Sequence, residues 1–149
     1  MSYIIRRAEI KDIDAISEQL EQFSACYNTH FPPYKDKETS AEVLKNMIEN
    51  HYFTVAEDGG ELVGFIAGFV ARHIYNPDIV TLAEAFWWTK EEHRRSGIGL
   101  RLLEEFENWG KENVDWILMT IEEETPLDDK VFLDRGFKLK EKSYIMEVH

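Results

Sequence analysis

A single cysteine among 149 residues leaves no partner for an internal disulfide, so the fold cannot be stapled covalently. The core must come from packing alone. At 44% hydrophobic and 13% aromatic residues the chain has material for one domain, spanning 1–149. The lone thiol, Cys26, fits a reducing, cytoplasmic setting and is expected to be buried and inert. No apolar run reaches the length needed to cross a bilayer, so no membrane partner is expected. "MSYIIRRAEIKDI" carries neither the apolar core nor the cleavage site of an export signal. Positive charge is also scarce, with 17 Lys and Arg against 29 Asp and Glu and a net charge of −12. That balance argues against nucleic acid as a partner, because such binding rests on neutralising phosphates. It suits cationic small molecules or basic peptides, although solubility alone would also account for it. No His, Cys and Asp set has zinc-ligand spacing, and no Ser–His–acid arrangement stands out.

What is present reads as alternating strands and helices. "SYIIRRA" (Ser2 to Ala8) predicts a first strand; Ile13, Ile16, Leu20, Phe23 and Tyr27 then repeat at helical spacing. Pro32 and Pro33 mark a loop, and Thr39 with Glu42 reads as a capping box for a second helix with Val43, Leu44, Met47 and Ile48 inward. Residues 52–72 form a hairpin turning at Asp58-Gly59-Gly60, and Asn76-Pro77-Asp78 makes the next turn. "IVTLAEAFWWT" is mostly apolar and therefore central. A third helix runs from about Ser96 to Asn113, "DWILMTI" is a buried strand, and Pro126 to Arg135 is a short helix ending at Gly136. Residues 137–148 close the chain as one long strand or two short ones. The order β-α-α-β-β-β-α-β-α-β implies an α/β (α+β) fold, a mixed sheet flanked by helices.

The third helix opens on "HRRSGIGLRLLEEF", a small positive corner in an acidic chain. Gly97 and Gly99 permit a tight turn and close approach of a ligand. Unpaired N–H groups and the dipole at a helix start favour an anion there, best a phosphate. A P-loop would need a Lys before Ser or Thr, and a dinucleotide fingerprint would need three glycines early in the chain. The pattern Gln/Arg-x-x-Gly-x-Gly/Ala of coenzyme A pyrophosphate loops is met by "RRSGIG", Arg94 to Gly99. An ordinary glycine turn into a helix meets it equally.

With this loop between a fourth strand and a third helix, and with "VFLDRGF" near the end, the chain resembles the GNAT superfamily of N-acetyltransferases over essentially its full length. "EAFWWTKEEHRRSGIGLRLLEEFENW" is particularly similar to members from bacteriophages and prophages. The resemblance implies a central sheet of six to seven mostly antiparallel strands, about four helices, and splayed fourth and fifth strands. It also implies acetyl-CoA as cofactor. Arg94, Arg95, Ser96, Gly97, Ile98, Gly99 and Leu100 would cradle the pyrophosphate. The main chain of Trp87, Trp88 and Thr89 would pair with the pantetheine arm, while the two indoles pack in the core. A homodimer is a habit of the family.

Acetyl transfer to an amine needs a proton acceptor, a donor for the developing oxyanion and an acid for the departing thiolate. Here the chain departs from the family. The tyrosine that often serves as acid corresponds to Phe132, the preceding asparagine to Thr125, and a fifth-strand glutamate to Thr120. Thr125 can still hydrogen-bond the cofactor. Glu84, in an otherwise apolar strand, is the favoured base, one residue beyond the position the family uses unless a bulge compensates. An ion pair with Arg72 is the competing reading. Glu122 is a second candidate base or a solvated loop charge, and Tyr144 a candidate acid in place of Phe132 or a packing residue. His73, Tyr75, Tyr27, His30 and Tyr34 are candidates for the acceptor entrance or plain surface, and Cys26 is a remote candidate nucleophile. Two functions follow: an N-acetyltransferase acting on a cationic primary amine, or a non-catalytic module that binds acyl-CoA or a host protein.

Overall fold

The computed structural model describes residues 2–26, 32–125 and 127–149. Alternation in Tyr3–Arg7 makes β1, which pairs antiparallel with β2 (Tyr52–Asp58). β2 turns through Gly59 and Gly60 into β3 (Glu61–Arg72), and β3 pairs antiparallel with β4 (Val80–Thr89). β5 (Trp116–Leu118) lies parallel to β4, so the order is β1-β2-β3-β4-β5. Parallel neighbours need a long crossover, supplied here by α3 (Ile98–Asn113). Helices α1 (Ile13–Ala25), α2 (Lys37–Asn50) and α4 (Lys130–Leu133), with two short 3-10 turns at Ile10–Asp12 and Glu91–His93, complete the described elements.

Both sheet faces are covered, which explains why consecutive residues of β2 and β3 are buried without alternation. Ile16, Leu20 and Phe23 of α1 with Leu44 and Met47 of α2 pack against Phe53, Val55, Phe65 and Trp88. On the other face Ile98, Leu102, Leu103 and Phe106 of α3 pack against Tyr52, Val63, Ile66 and Leu82. Their close approach depends on Gly68, where an added Cβ would stand 2.9 Å from the Phe106 ring and 2.8 Å from the Ala83 carbonyl.

Several boundaries differ from expectation. α2 starts at Lys37 because the Asp36 carboxylate accepts from the Thr39 N–H at 2.6 Å, displacing the Thr39–Glu42 cap, and Val43 is exposed. Cys26 is exposed, not buried, because it lies past the last turn of α1. Among the described residues there are five strands, where six to seven were expected; β5 is shorter than "DWILMTI", and α4 is shorter than Pro126 to Arg135. Residues 137–148 form no paired strand. Their apolar side chains occupy both parities (Phe137, Leu139 and Ile145, then Tyr144, Met146 and Val148), so no single face can be buried.

One polar cluster ties β1 to its neighbours. The Arg6 guanidinium donates to both Asp12 oxygens at 2.8 Å and to Glu57 at 2.8 Å. Hydrogen bonding from Arg6 holds the Asp12 carboxyl below its ordinary pKa, so its stabilising contribution is full above the unfolded-state value of about 4 and is lost as pH falls through the depressed one. Asp12→Asn should therefore lower the melting temperature at neutral pH, with the gap to the unsubstituted protein closing as the pH falls well below 4. A gap that stays constant in thermal melts across that range would exclude the ion pair as its source.

Candidate active site

β4 and β5 are paired only from Thr81↔Trp116 to Ala83↔Leu118. Beyond Ala83 they part, and the β4 edge from Glu84 to Thr89 runs on without β5 beside it. On the other side of β4 the register skips a residue: Gly68 faces Glu84 and Ala67 faces Phe86, so Ala85 bulges. A bulge re-aims side chains locally.

A cavity of about 190 Å³ opens where the strands part, lined by Phe23, Glu84, Ala85, Trp87, Thr120, Ile121, Glu122, Thr125 and Leu127. Glu84 borders it, half-buried, and desolvation pushes its carboxyl up to about 8. The Thr120 N–H donates to it and opposes that shift, while the Glu122 charge adds to it. Arg72 donates to the Pro77 carbonyl, so the alternative partner for Glu84 is engaged elsewhere. With that pKa Glu84 is mostly protonated at pH 7 and loses its proton as the pH passes about 8.

The glycine corner lies at the far end of the same strand edge. Gly97 caps α3 with φ +86°, a conformation that disfavours any side chain. The first helical hydrogen bond runs from the Arg101 N–H to the Gly97 carbonyl. Ser96 Oγ accepts from the Ile98 N–H at 3.3 Å, and the helix itself offers no acceptor to the N–H groups of Gly99 and Leu100. The Arg94 guanidinium stacks on Trp88 at 4.8 Å and donates to the Thr89 carbonyl at 3.0 Å, so it clamps the loop to the strand end. Arg95 is exposed.

The parting of β4 and β5 is the splay that the resemblance implied. Residues 15–127 match the family model described as Acetyltransferase (GNAT) family. The chain belongs to that family.

Solved structures of the same fold include a putative acetyl transferase from Pyrococcus furiosus, 24% identical, covering 98% of both chains at a TM-score of 0.74. The ribosomal-protein-alanine N-acetyltransferase of Brucella melitensis biovar Abortus 2308 is 14% identical over 99% of each chain, at 0.76. A predicted acetyltransferase with acetyl-CoA from Clostridium acetobutylicum is 17% identical, covering 99% of this chain and 97% of that one, at 0.73. No curated protein matches the chain significantly in sequence.

GNAT acetyltransferases use acetyl-CoA, and the residues present fit that cofactor. The helix start leaves N–H groups for its phosphates, and the free β4 edge leaves main-chain groups for an extended arm. One group is already taken, since the Thr89 carbonyl accepts from Arg94. The indoles divide: Trp88 is buried against Phe23, whereas Trp87 lines the cavity and donates to the Gly99 carbonyl at 3.0 Å. Thr125 lines the cavity too, and Phe132 packs at 6.1 Å from the Trp87 ring.

Other expected residues are not gathered there. Tyr144 is 91% exposed and does not line the cavity, because its segment pairs with no strand. Among the described residues no tyrosine lines it. His73 and Tyr75 sit in the turn before β4, where His73 accepts from the Tyr75 N–H. Tyr34 borders a separate cavity of about 490 Å³ with Asp14, Ser17, Glu18, Glu21 and Lys37. Tyr27 and His30 lie outside the described residues. Glu122, the second candidate base, lines the cavity. Among the described residues no group of His, Cys, Asp and Glu could hold a metal ion, and no helix is long and apolar enough to cross a membrane.

Proposed function

We propose that the chain, acting as one domain over 1–149, transfers the acetyl group of acetyl-CoA directly to a cationic primary amine. One observation carries the reading: Glu84, a carboxyl whose pKa is raised to about 8, borders a cavity at the point where the β4 edge becomes free. Acetyl-CoA supplies the activated acyl group. The Gly99 and Leu100 N–H groups at the start of α3 hold its phosphates, those of Arg94, Ser96 and Ile98 being engaged within the loop, and the β4 main chain near Trp87 and Trp88 aligns the thioester with the cavity.

An incoming ammonium meets Glu84 and Glu122, and its positive charge favours the ionised form of Glu84 against the Glu122 charge that disfavours it. Glu84 then takes the proton that must leave nitrogen before attack, directly or through water. The acidic surface supports a cationic acceptor, and the 84–109 stretch supports kinship with phage-type members.

Phe132 in place of a tyrosine favours a second reading, a module that binds acyl-CoA without transfer. Calorimetry with acetyl-CoA, followed by incubation with polyamines, aminoglycosides, amino acids and lysine-containing peptides, separates the two. Acceptor-dependent release of free thiol is expected. Binding without such release would establish the module, and no binding at millimolar cofactor would overturn both readings.

A further inference from the structure

Two adjacent indoles on β4 are treated differently by the fold. The Trp88 N–H is buried with no partner among the described residues, while the Trp87 N–H donates to the Gly99 carbonyl at 3.0 Å. Gly99 belongs to the first turn of α3, and helical geometry already directs the Leu103 N–H to that carbonyl. Two donors thus converge on one oxygen. The same peptide unit ends in the Leu100 N–H, which points out of the helix start without a helical acceptor. Hydrogen bonds accepted by a carbonyl polarise the peptide and make its N–H a stronger donor.

The indole also fixes position. Gly99 has no side chain to hold it, and its missing Cβ would stand 3.3 Å from Thr89 Oγ1 and 3.9 Å from the Trp87 nitrogen. The first turn of α3 is therefore seated directly on the end of β4, with the indole as a polar tie between them. The Trp87 ring borders the Glu84 cavity and packs near Phe132, so one side chain touches both halves of the site.

We propose that Trp87 is a positioning residue for the diphosphate cradle: its indole N–H locks the first turn of α3 to β4 and polarises the Gly99–Leu100 peptide toward the phosphates. This rests on the reading of residues 94–100 as the coenzyme A loop.

Trp87→Phe keeps an aromatic ring and removes the donor. By calorimetry it should weaken acetyl-CoA binding about three- to tenfold, the scale of one lost hydrogen bond. Binding of acetyl-pantetheine, which lacks the diphosphate, should weaken clearly less. A packing role would weaken both ligands alike. Leu100→Pro deletes the N–H in question at a first-turn position where proline is accommodated. In that background Trp87→Phe should cost much less further affinity. Unchanged acetyl-CoA binding in Trp87→Phe, equal losses for the two ligands, or simply additive losses in the double variant would overturn the proposal. Failure of the unsubstituted protein to bind acetyl-CoA would instead remove the cofactor reading beneath it.

Discussion

Replacing Glu84 by Gln is expected to lower turnover on a good amine acceptor by about two or more orders of magnitude, the scale of a lost general base. Glutamine keeps the size of the side chain and cannot accept the proton. Only ionised Glu84 works as a base. With its pKa near 8, about one molecule in ten carries the charge at pH 7 before the amine enters. The apparent kcat/KM should therefore rise with pH through about 8. Deprotonation of the amine also raises the rate with pH, so a second variant is needed to separate them. Glu122→Gln removes a like charge that pushes Glu84 up, and it should move the Glu84 limb of the profile to lower pH. A profile unmoved by Glu122→Gln, with full turnover in Glu84→Gln, would take both carboxylates out of the mechanism.

The same carboxyl weakens the fold as pH rises. Its folded pKa lies above the unfolded value of about 4.5, so the native state binds the extra proton between those limits. Stability from this group is full below about 4.5 and lost by the time the pH passes 8. Thermal melts at pH 9 should accordingly show Glu84→Gln as more stable than the unsubstituted protein, with little difference at pH 4. An ionisable group kept at a stability cost is expected of a working site.

Phe106→Ala is the substitution with the largest expected effect on stability, at about 3–5 kcal/mol. The ring is fully buried, meets Tyr52 edge-on at 5.3 Å, and sits over Gly68. Denaturant unfolding should show the loss, whereas Leu100→Ala on the exposed side of α3 should stay within about 0.5 kcal/mol. Gly68→Ala tests the same contact from below. Its Cβ would press on the Ala83 carbonyl as well as the ring, and Gly68 faces Glu84 across the bulge. That change should reduce both stability and turnover. A Phe106→Ala loss under 1 kcal/mol would mean that α3 is not the anchor of that face.

Much of the architecture was written locally. The helical spacing of Ile16, Leu20 and Phe23, the Asp58-Gly59-Gly60 turn and the run into Gly97 each specify an element through neighbouring residues alone. The glycine corner was equally plain, because a left-handed cap at Gly97 before an amphipathic stretch is a short-range feature. Glu84 stood out for the same reason, as one charge in an apolar strand.

The remainder depended on which segments meet. That β4 and β5 part after Ala83 follows from register, and no single strand encodes its own partner's exit. The parting made the cavity, brought Glu122 toward Glu84, and left Arg72 occupied at Pro77. Tyr144 was a candidate acid in the sequence, yet its segment pairs with no strand among the described residues and it faces solvent. The sequence determined the elements and the phosphate-facing turn, because those arise from bonds within a few residues. Tertiary structure alone decided which carboxyl faces the cavity and what surrounds it, because burial and charge coupling act between residues far apart in the chain.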